Sequence, residues 1–167
     1  MQVAAGHIRS MASEPIPYSQ RDMAHIESLE FRILGQIQVL ADGEPIELGP
    51  FKQRALLALL IVNANRVVST DRILEALWGE EGADKEKALW VYVSRLRSAL
   101  EPDREGRGES SILVRREPGY VVTIDPSQID ARRFEELLAR GRELAADDPQ
   151  AAEDTLDEAL EIGRAHV

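Results

Sequence analysis

The stretch KEKALWVYVSRLRSAL, residues 85–100, decides the fold of this chain. Four of its aliphatic residues recur at the spacing i, i+4, i+7 and i+11, which places them on one face of an α-helix. The same stretch holds four basic residues against one acidic residue, Glu86. The sequence therefore predicts a long amphipathic helix over 85–100 with a cationic outer surface. The aliphatic residues that would face inward are Leu89, Val93, Leu96 and Leu100.

Two shorter helices are predicted upstream. Residues 51–64 carry a broad apolar face, and Ser69 or Thr70 then caps a short helix over 71–78 with the acidic Asp71 near its positive end. An acidic loop over 79–84 separates this helix from the long one. The apolar face of the first helix is expected to comprise Ala55, Leu56, Leu59, Leu60 and Val62.

Strand patterns flank the three helices. Residues 29–39 alternate apolar and polar side chains and predict one half-buried strand, with a returning strand over 45–48. Downstream of a polar loop, 112–116 and 120–124 predict two strands around the turn Glu117-Pro-Gly119. Strands, three helices and a β-hairpin, in this order, indicate an α+β winged helix.

The pattern changes after residue 125. Residues 130–146 and 149–161 predict two amphipathic helices that form a helical pair, with Phe134, Leu137 and Leu138 facing inward. We therefore divide the chain into a winged-helix domain over 28–125 and an all-α segment over 126–161.

Bulk properties narrow the class of protein. The chain of 167 residues has no cysteine, which excludes disulfides and fits a reducing cytoplasm. No apolar run approaches the roughly 18 residues of a membrane span, so no membrane partner is expected. We interpret residues 1–27 as a flexible leader or as sequence upstream of the true start, because Met11 and Met23 are alternatives to Met1.

The formal net charge of −10 is unevenly distributed. Residues 130–161 contain 11 acidic and 4 basic residues, a net charge of −7, whereas residues 50–120 contain 12 basic and 11 acidic residues, a net charge of +1. The negative charge of the whole chain therefore does not exclude DNA binding, although it predicts weak nonspecific affinity.

The predicted helices 70–78 and 85–100 resemble a helix-turn-helix pair, whose second helix enters the major groove of DNA. Arginine pairs with guanine there and valine contacts the thymine methyl, whereas Lys87 and Arg97 would meet phosphates. Each element also has another interpretation that stays open. The basic surface of helix 85–100 could be an ordinary solvated helix face, and the arginines of the hairpin could belong to a charged edge strand that resists aggregation. The candidate DNA-binding residues are Lys87, Trp90, Val91, Ser94, Arg95 and Arg97 on the helix, and Arg115, Arg116 and Tyr120 on the hairpin.

No catalytic, cofactor or metal site is predicted. The three histidines, His7, His25 and His166, lie in the leader or at the end of the chain. No glycine-rich phosphate loop follows a strand, and no His, Asp and Glu residues show metal-ligand spacing.

Four motifs in order resemble the Streptomyces antibiotic regulatory protein family: GPFKQRALLALL (49–60), VVSTDRILEALWG (67–79), VYVSRLR (91–97) and EPGY (117–120). The resemblance covers about residues 29–161. It implies an OmpR/PhoB-type winged helix with a four-stranded N-terminal sheet, followed by the start of a bacterial transcriptional activator domain of tetratricopeptide-like helices.

The resemblance also implies residue roles. Val91 and Arg95 match positions that face the bases. The positions that contact the DNA backbone are matched by Lys87, Tyr92 and Arg97 on the helix and by Arg116 on the hairpin. Trp90 and Ser94 stand where several OmpR-type helices are basic. The family further implies binding to direct repeats as a homodimer, and contact with RNA polymerase through 79–84 or the helical tail.

The sequence thus predicts a transcription regulator, an activator that binds double-stranded promoter DNA, and not an enzyme. The alternative is a winged-helix protein-interaction module without specific DNA binding. Residues 162–167, IGRAHV, can be encoded by a widely used sequencing adapter, and we interpret them as a non-native tail.

Overall fold

A computed structural model describes residues 29–102 and 110–164. The predicted leader over 1–27 and the last three residues of the predicted tail lie outside the described residues. The described elements are a three-stranded sheet, three helices, a second small sheet that contains the hairpin, and two further helices.

The N-terminal sheet consists of β1 (Leu29–Arg32), β2 (Gln38–Ala41) and β3 (Glu44–Pro45), antiparallel in the order β1-β2-β3. The single strand predicted over 29–39 is therefore wrong, because the chain turns back between β1 and β2. Ile33 and Leu34 interrupt the alternation, and their backbone N–H groups donate to the carboxylate of Asp130 instead of continuing the ladder.

Two other expectations for this sheet also need correction. The returning strand predicted over 45–48 is confined to Glu44–Pro45, with one further backbone bond from the N–H of Ile46 to the carbonyl of Val39 (2.9 Å). The family resemblance implies four strands in the N-terminal sheet, but the sheet has three strands among the described residues. Asp42 and Gly43 form the turn between β2 and β3 with φ of 52° and 85°, a backbone conformation that suits glycine and aspartate.

The three predicted helices are present as α1 (Phe51–Val62), α2 (Thr70–Trp78) and α3 (Glu86–Leu100). Ser69 caps α2 by accepting a hydrogen bond from the N–H of Arg72 (3.3 Å). The predicted acidic loop between α2 and α3 is a 3₁₀ helix, Gly79–Asp84.

The inward face of α1 differs from the prediction. Leu57 and Ile61 are buried, whereas Val62 is 61% exposed. Nearly every residue of α1 after Arg54 is apolar, so the pattern alone could not indicate which of them face inward.

The second sheet contains β4 (Val68–Ser69), β5 (Leu113–Arg116) and β6 (Gly119–Val122), in the order β4-β6-β5. Arg116 pairs with Gly119, so Glu117 and Pro118 form the tip of the predicted hairpin. Asn65 (φ 64°) extends the sheet, since its side chain donates to the carbonyl of Ile124 (2.9 Å) and accepts from that residue's N–H (3.1 Å).

One apolar core joins the N-terminal sheet, the three helices and the hairpin. Its contributors are large aliphatic and aromatic side chains that interlock between these elements. Fully buried members include Phe31, Leu56, Leu60, Ile73, Leu89, Leu96, Ile112 and Ile124.

The two remaining helices, α4 (Asp130–Leu144) and α5 (Pro149–Arg164), pack against each other. Phe134, Leu137 and Leu138, predicted to face inward, are half-buried. A short 3₁₀ turn, Pro126–Gln128, leads into α4, and Ile129 bridges to Phe31 of β1. A winged helix followed by two packed helices is the fold class that the sequence predicted. No helix in the described ranges is long and apolar enough to cross a membrane.

Candidate nucleic-acid interface

Helix α3 has two contrasting faces. The four aliphatic residues that the sequence predicted to face inward are buried, with Leu89 1% and Leu96 0% exposed. At 3.6 residues per turn, the other side of the helix faces away from the core. This outward face is exposed and carries two cations, two hydroxyls and two apolar side chains. Its members are Lys87, Trp90, Val91, Ser94, Arg95 and Ser98.

One edge of α3 is held by an aromatic stack. The ring of Tyr92 stacks on that of Trp78 at the end of α2, with centroids 5.9 Å apart and planes 5° from parallel. The Lys52 Nζ lies 4.9 Å from the centroid of Trp78, on α1's side of the stack. These contacts couple all three helices, so Tyr92 contributes to the orientation of α3.

The other edge of α3 is tied to the hairpin. Nε of Arg97 donates to the carbonyl of Leu113 (2.8 Å). At the end of the helix, the carboxylate of Glu101 accepts from the N–H and the hydroxyl of Ser111 (both 2.8 Å) and from the hydroxyl of Ser110. The outward face of α3 and the hairpin therefore have a defined mutual geometry.

The hairpin exposes its arginines and buries its tyrosine. Arg115 and Arg116 are exposed, and Arg115 forms a solvent-exposed ion pair with Glu117 (3.3 Å), a contact worth little energy in water. Tyr120 is 5% exposed and lies opposite Val68 of β4. Its side chain is thus largely part of the protein core.

A cleft of about 440 Å³ opens between the start of α2, the first turns of α3 and the hairpin. Its walls combine aromatic, cationic and acidic side chains. They are Thr70, Asp71, Glu86, Lys87, Leu89, Trp90, Arg115 and Tyr120.

Seven of the ten predicted DNA-binding residues are therefore exposed on α3 or the hairpin, whereas Tyr92, Arg97 and Tyr120 make contacts within the protein. Ser98, which is exposed one turn beyond Ser94 on the outward face, was not among the predicted residues. The helical period that selected Ser94 would also have selected Ser98. Thr70 was not predicted either, because it comes to line the cleft only through the tertiary fold.

Residues 29–102 and 110–164 contain no group of three or more His, Cys, Asp or Glu side chains placed to hold a metal ion. The outward face of α3 presents cations, hydroxyls and apolar groups on a rigid helix, and this set of groups is suited to recognition of a ligand.

Three helices around one core, with a two-stranded hairpin beside the third helix, define the winged-helix class of DNA-binding domains. Comparisons with known proteins agree. Residues 43–122 match the family model "Transcriptional regulatory protein, C terminal". Residues 43–122 therefore form an OmpR/PhoB-type winged-helix domain, which is a domain of transcription regulators and not an enzyme domain.

Individual relatives support the same assignment. The chain is 38% identical to the transcriptional regulatory protein EmbR of Mycobacterium tuberculosis over 107 residues. The aligned residues make up 64% of this chain and 27% of that protein. It is 33% identical over 138 residues to the regulatory protein AfsR of Streptomyces coelicolor, or 81% of this chain and 13% of that protein. The chain thus spans a minor part of each relative. The resemblance to the Streptomyces antibiotic regulatory protein family is confirmed.

A solved structure extends the similarity to the fold. The structure of Mycobacterium tuberculosis EmbR in complex with a low-affinity phosphopeptide superimposes with a TM-score of 0.68 at 32% sequence identity. The matched region covers 83% of this chain and 36% of that one. The likeness therefore extends beyond the residues matched by the family model.

Proposed function

We propose that this chain activates transcription by binding specific promoter sequences, with α3 in the major groove and the hairpin against the DNA backbone. One observation carries the proposal: α3 is fixed at both edges while its outward face stays exposed. Among the described residues, neither Lys87 nor Arg95 on this face forms an ion pair. A rigid helix with uncommitted cations provides the preorganised surface that base recognition requires.

The exposed residues divide into two roles. Arg95 and Val91 would contact base edges, because an arginine fork matches the acceptors of guanine and a valine methyl fits that of thymine. Ser94 would donate or accept a hydrogen bond beside them. Lys87 and the hairpin residues Arg115 and Arg116 would bind phosphates and so set the register without reading sequence.

The three predicted residues that make contacts within the protein would act mainly by positioning. Tyr92 and Arg97 connect α3 to α2 and to β5, and Tyr120 supports the wall of the cleft. A contact of their remaining polar atoms with phosphate would be secondary to this role.

Partners other than DNA are also proposed. The 3₁₀ helix 79–84 exposes Glu80, Glu81 and Asp84, and this segment or the acidic α4–α5 pair would contact RNA polymerase. A second copy of the chain would bind the neighbouring repeat of a direct-repeat site. We place this activity in the cytoplasm.

The test is selection of bound sequences from a random duplex pool by the full chain, followed by titration of the enriched duplex. Arg95→Ala removes one contact with a base pair. It should weaken binding of the duplex roughly 5- to 150-fold and relax the base preference at that one position of the site. Arg142→Ala is the matched control, because Arg142 is an exposed arginine on α4 without an ion pair among the described residues. Binding should also fall steeply with salt, since neutralised phosphates release counterions.

A second candidate function has its own observation. A groove of about 760 Å³ with a mixed polar and apolar lining lies between the N-terminal sheet and α1, where Phe51 is 74% and Val62 61% exposed. Large apolar side chains exposed side by side are typical of a protein-binding surface. If selection enriches no sequence and salt has little effect, DNA binding fails and the protein-interaction module is favoured.

A further inference from the structure

Trp90 is the largest apolar side chain on the outward face of α3, and 66% of its surface is exposed. The next residue, Val91, is 42% exposed. The aliphatic residues on either side of this pair, Leu89 and Val93, are buried. Water contact with an indole is unfavourable, and exposed aromatic side chains concentrate at contact surfaces. The position of Trp90 therefore indicates a ligand with an apolar part.

The neighbours of Trp90 specify where that apolar part would lie. Lys87 stands one turn before Trp90, and Arg95 stands about one turn after Val91, so an apolar pair lies between two cations along the helix. The indole has a single polar atom, an N–H donor. Phosphate oxygens complement that atom and both cations, but they offer nothing to the rest of the ring.

Resting on the proposed DNA binding, we infer that Trp90 is the specificity-determining residue for thymine and packs, with Val91, against C5-methyl groups in the major groove. The thymine methyl is the apolar group that an unmodified base edge presents there. Arg95 would pair with a guanine nearby, so the site that α3 reads combines thymine with guanine. This arrangement differs from a basic recognition helix, in which cations alone would occupy the outward face.

The experiment removes the methyl group and nothing else. In the duplex enriched from the random pool, each thymine is replaced in turn by deoxyuridine, which pairs with adenine but lacks the C5 methyl. The full chain should bind about fourfold more weakly for each methyl that Trp90 covers, the factor expected for one buried carbon. The effect should be confined to the one or two thymines in contact with Trp90.

Trp90→Ala should bind the thymine duplex more weakly, and the same deoxyuridine replacements should then have a much smaller effect, because Val91 alone remains against the methyl groups. Leu34→Ala is the matched control, because it removes an exposed aliphatic side chain from the turn between β1 and β2 and should respond to deoxyuridine as the unaltered chain does. Thermal unfolding of Trp90→Ala checks that the variant is folded, as expected for an exposed side chain.

The outcomes separate the two levels of the proposal. An enriched duplex in which no deoxyuridine weakens binding overturns the thymine contact and leaves DNA binding intact. An equal deoxyuridine effect in Trp90→Ala assigns the methyl to another side chain and also overturns the role of Trp90. Selection that enriches no sequence overturns the proposed function itself.

Discussion

The winged helix and the α4–α5 pair bury their chains in different ways. In the winged helix, large side chains such as Leu56, Ile73 and Leu96 are completely removed from solvent. Within residues 131–164, the buried positions are the small residues Gly141, Ala152 and Ala159. The first region is held by interlocking large side chains, whereas the second is held by close approach of two helices at small residues.

The helical pair also depends on the winged helix for its anchor. The carboxylate of Asp130, 1% exposed, accepts hydrogen bonds from the backbone N–H groups of Ile33 (2.9 and 3.0 Å) and Leu34 (3.2 Å). Arg133 adds an ion pair to Glu30 of β1 (3.6 Å). The comparison teaches that one region has a self-sufficient core and that the other is stabilised partly by contacts at its first turn.

The largest expected effect is that of Gly119→Ala in the hairpin. A Cβ at Gly119 would lie 1.9 Å from the carbonyl oxygen of Val68 and 2.7 Å from Cα of Ser69, both backbone atoms of the paired strand β4. Because neither atom can move without separating β4 from β6, we expect a loss of about 3 kcal/mol in the free energy of unfolding, at the upper end of the usual cost of overpacking. Urea unfolding followed by circular dichroism measures this loss.

Gly141→Ala in α4 is the matched control for that prediction. Its Cβ would lie 2.6 Å from Cδ2 and 2.7 Å from Cγ of Leu156, side-chain atoms that can move if Leu156, which is only half-buried, changes its rotamer. Alanine also favours the helix by about 1 kcal/mol relative to glycine, so the net change should stay within about 1 kcal/mol. A larger loss for Gly141→Ala than for Gly119→Ala would break the comparison, because it would make the helical pair the more tightly packed region.

Asp130→Ala should have an intermediate effect and should sharpen the comparison. Its removal leaves the N–H groups of Ile33 and Leu34 without their acceptor, at a cost of about 2 kcal/mol. Amide hydrogen exchange should accelerate in α4 and α5 more than in α3, because the anchor and not the core is lost. Asp157→Ala, at an exposed position on α5, should change neither quantity. Uniform acceleration across α3, α4 and α5 would contradict a separate anchor.

The buried residues of a helix were predicted correctly where polar residues mark its other face. In the second half of α3, the polar residues Ser94, Arg95, Arg97 and Ser98 separate the aliphatic ones and fix their period, so the buried residues could be predicted one by one. In α1 nearly all residues after Arg54 are apolar, and the prediction placed the exposed Val62 inside. Periodicity identifies a face only when the other face is polar.

Roles that depend on distant partners were outside the reach of the sequence. Asp130 was predicted only as the start of a helix, although its carboxylate caps a turn 97 residues earlier in the chain. Tyr92, Arg97 and Tyr120 were predicted on the DNA surface because of their residue types and motif positions. Their contacts with Trp78, Leu113 and β4 follow from packing, which residue type and spacing do not encode.

The smallest expected effect concerns Asp125, at the junction of the two regions. Hydrogen bonds from the hydroxyl (2.7 Å) and the N–H (2.8 Å) of Ser127 hold the pKa of the Asp125 carboxyl below its ordinary value, against a smaller opposing effect of burial. A lowered folded-state pKa contributes stability above the unfolded-state pKa, and this contribution disappears as the pH falls through the folded-state value. Because the group is largely exposed, Asp125→Asn should cost no more than about 0.5–1 kcal/mol at pH 7. In urea unfolding at pH 7, 5 and 3, the gap between the two proteins should be constant from pH 7 to 5 and narrow below about pH 4, the ordinary range of an aspartate. A gap that widens on acidification would show that the charged carboxylate does not stabilise this junction.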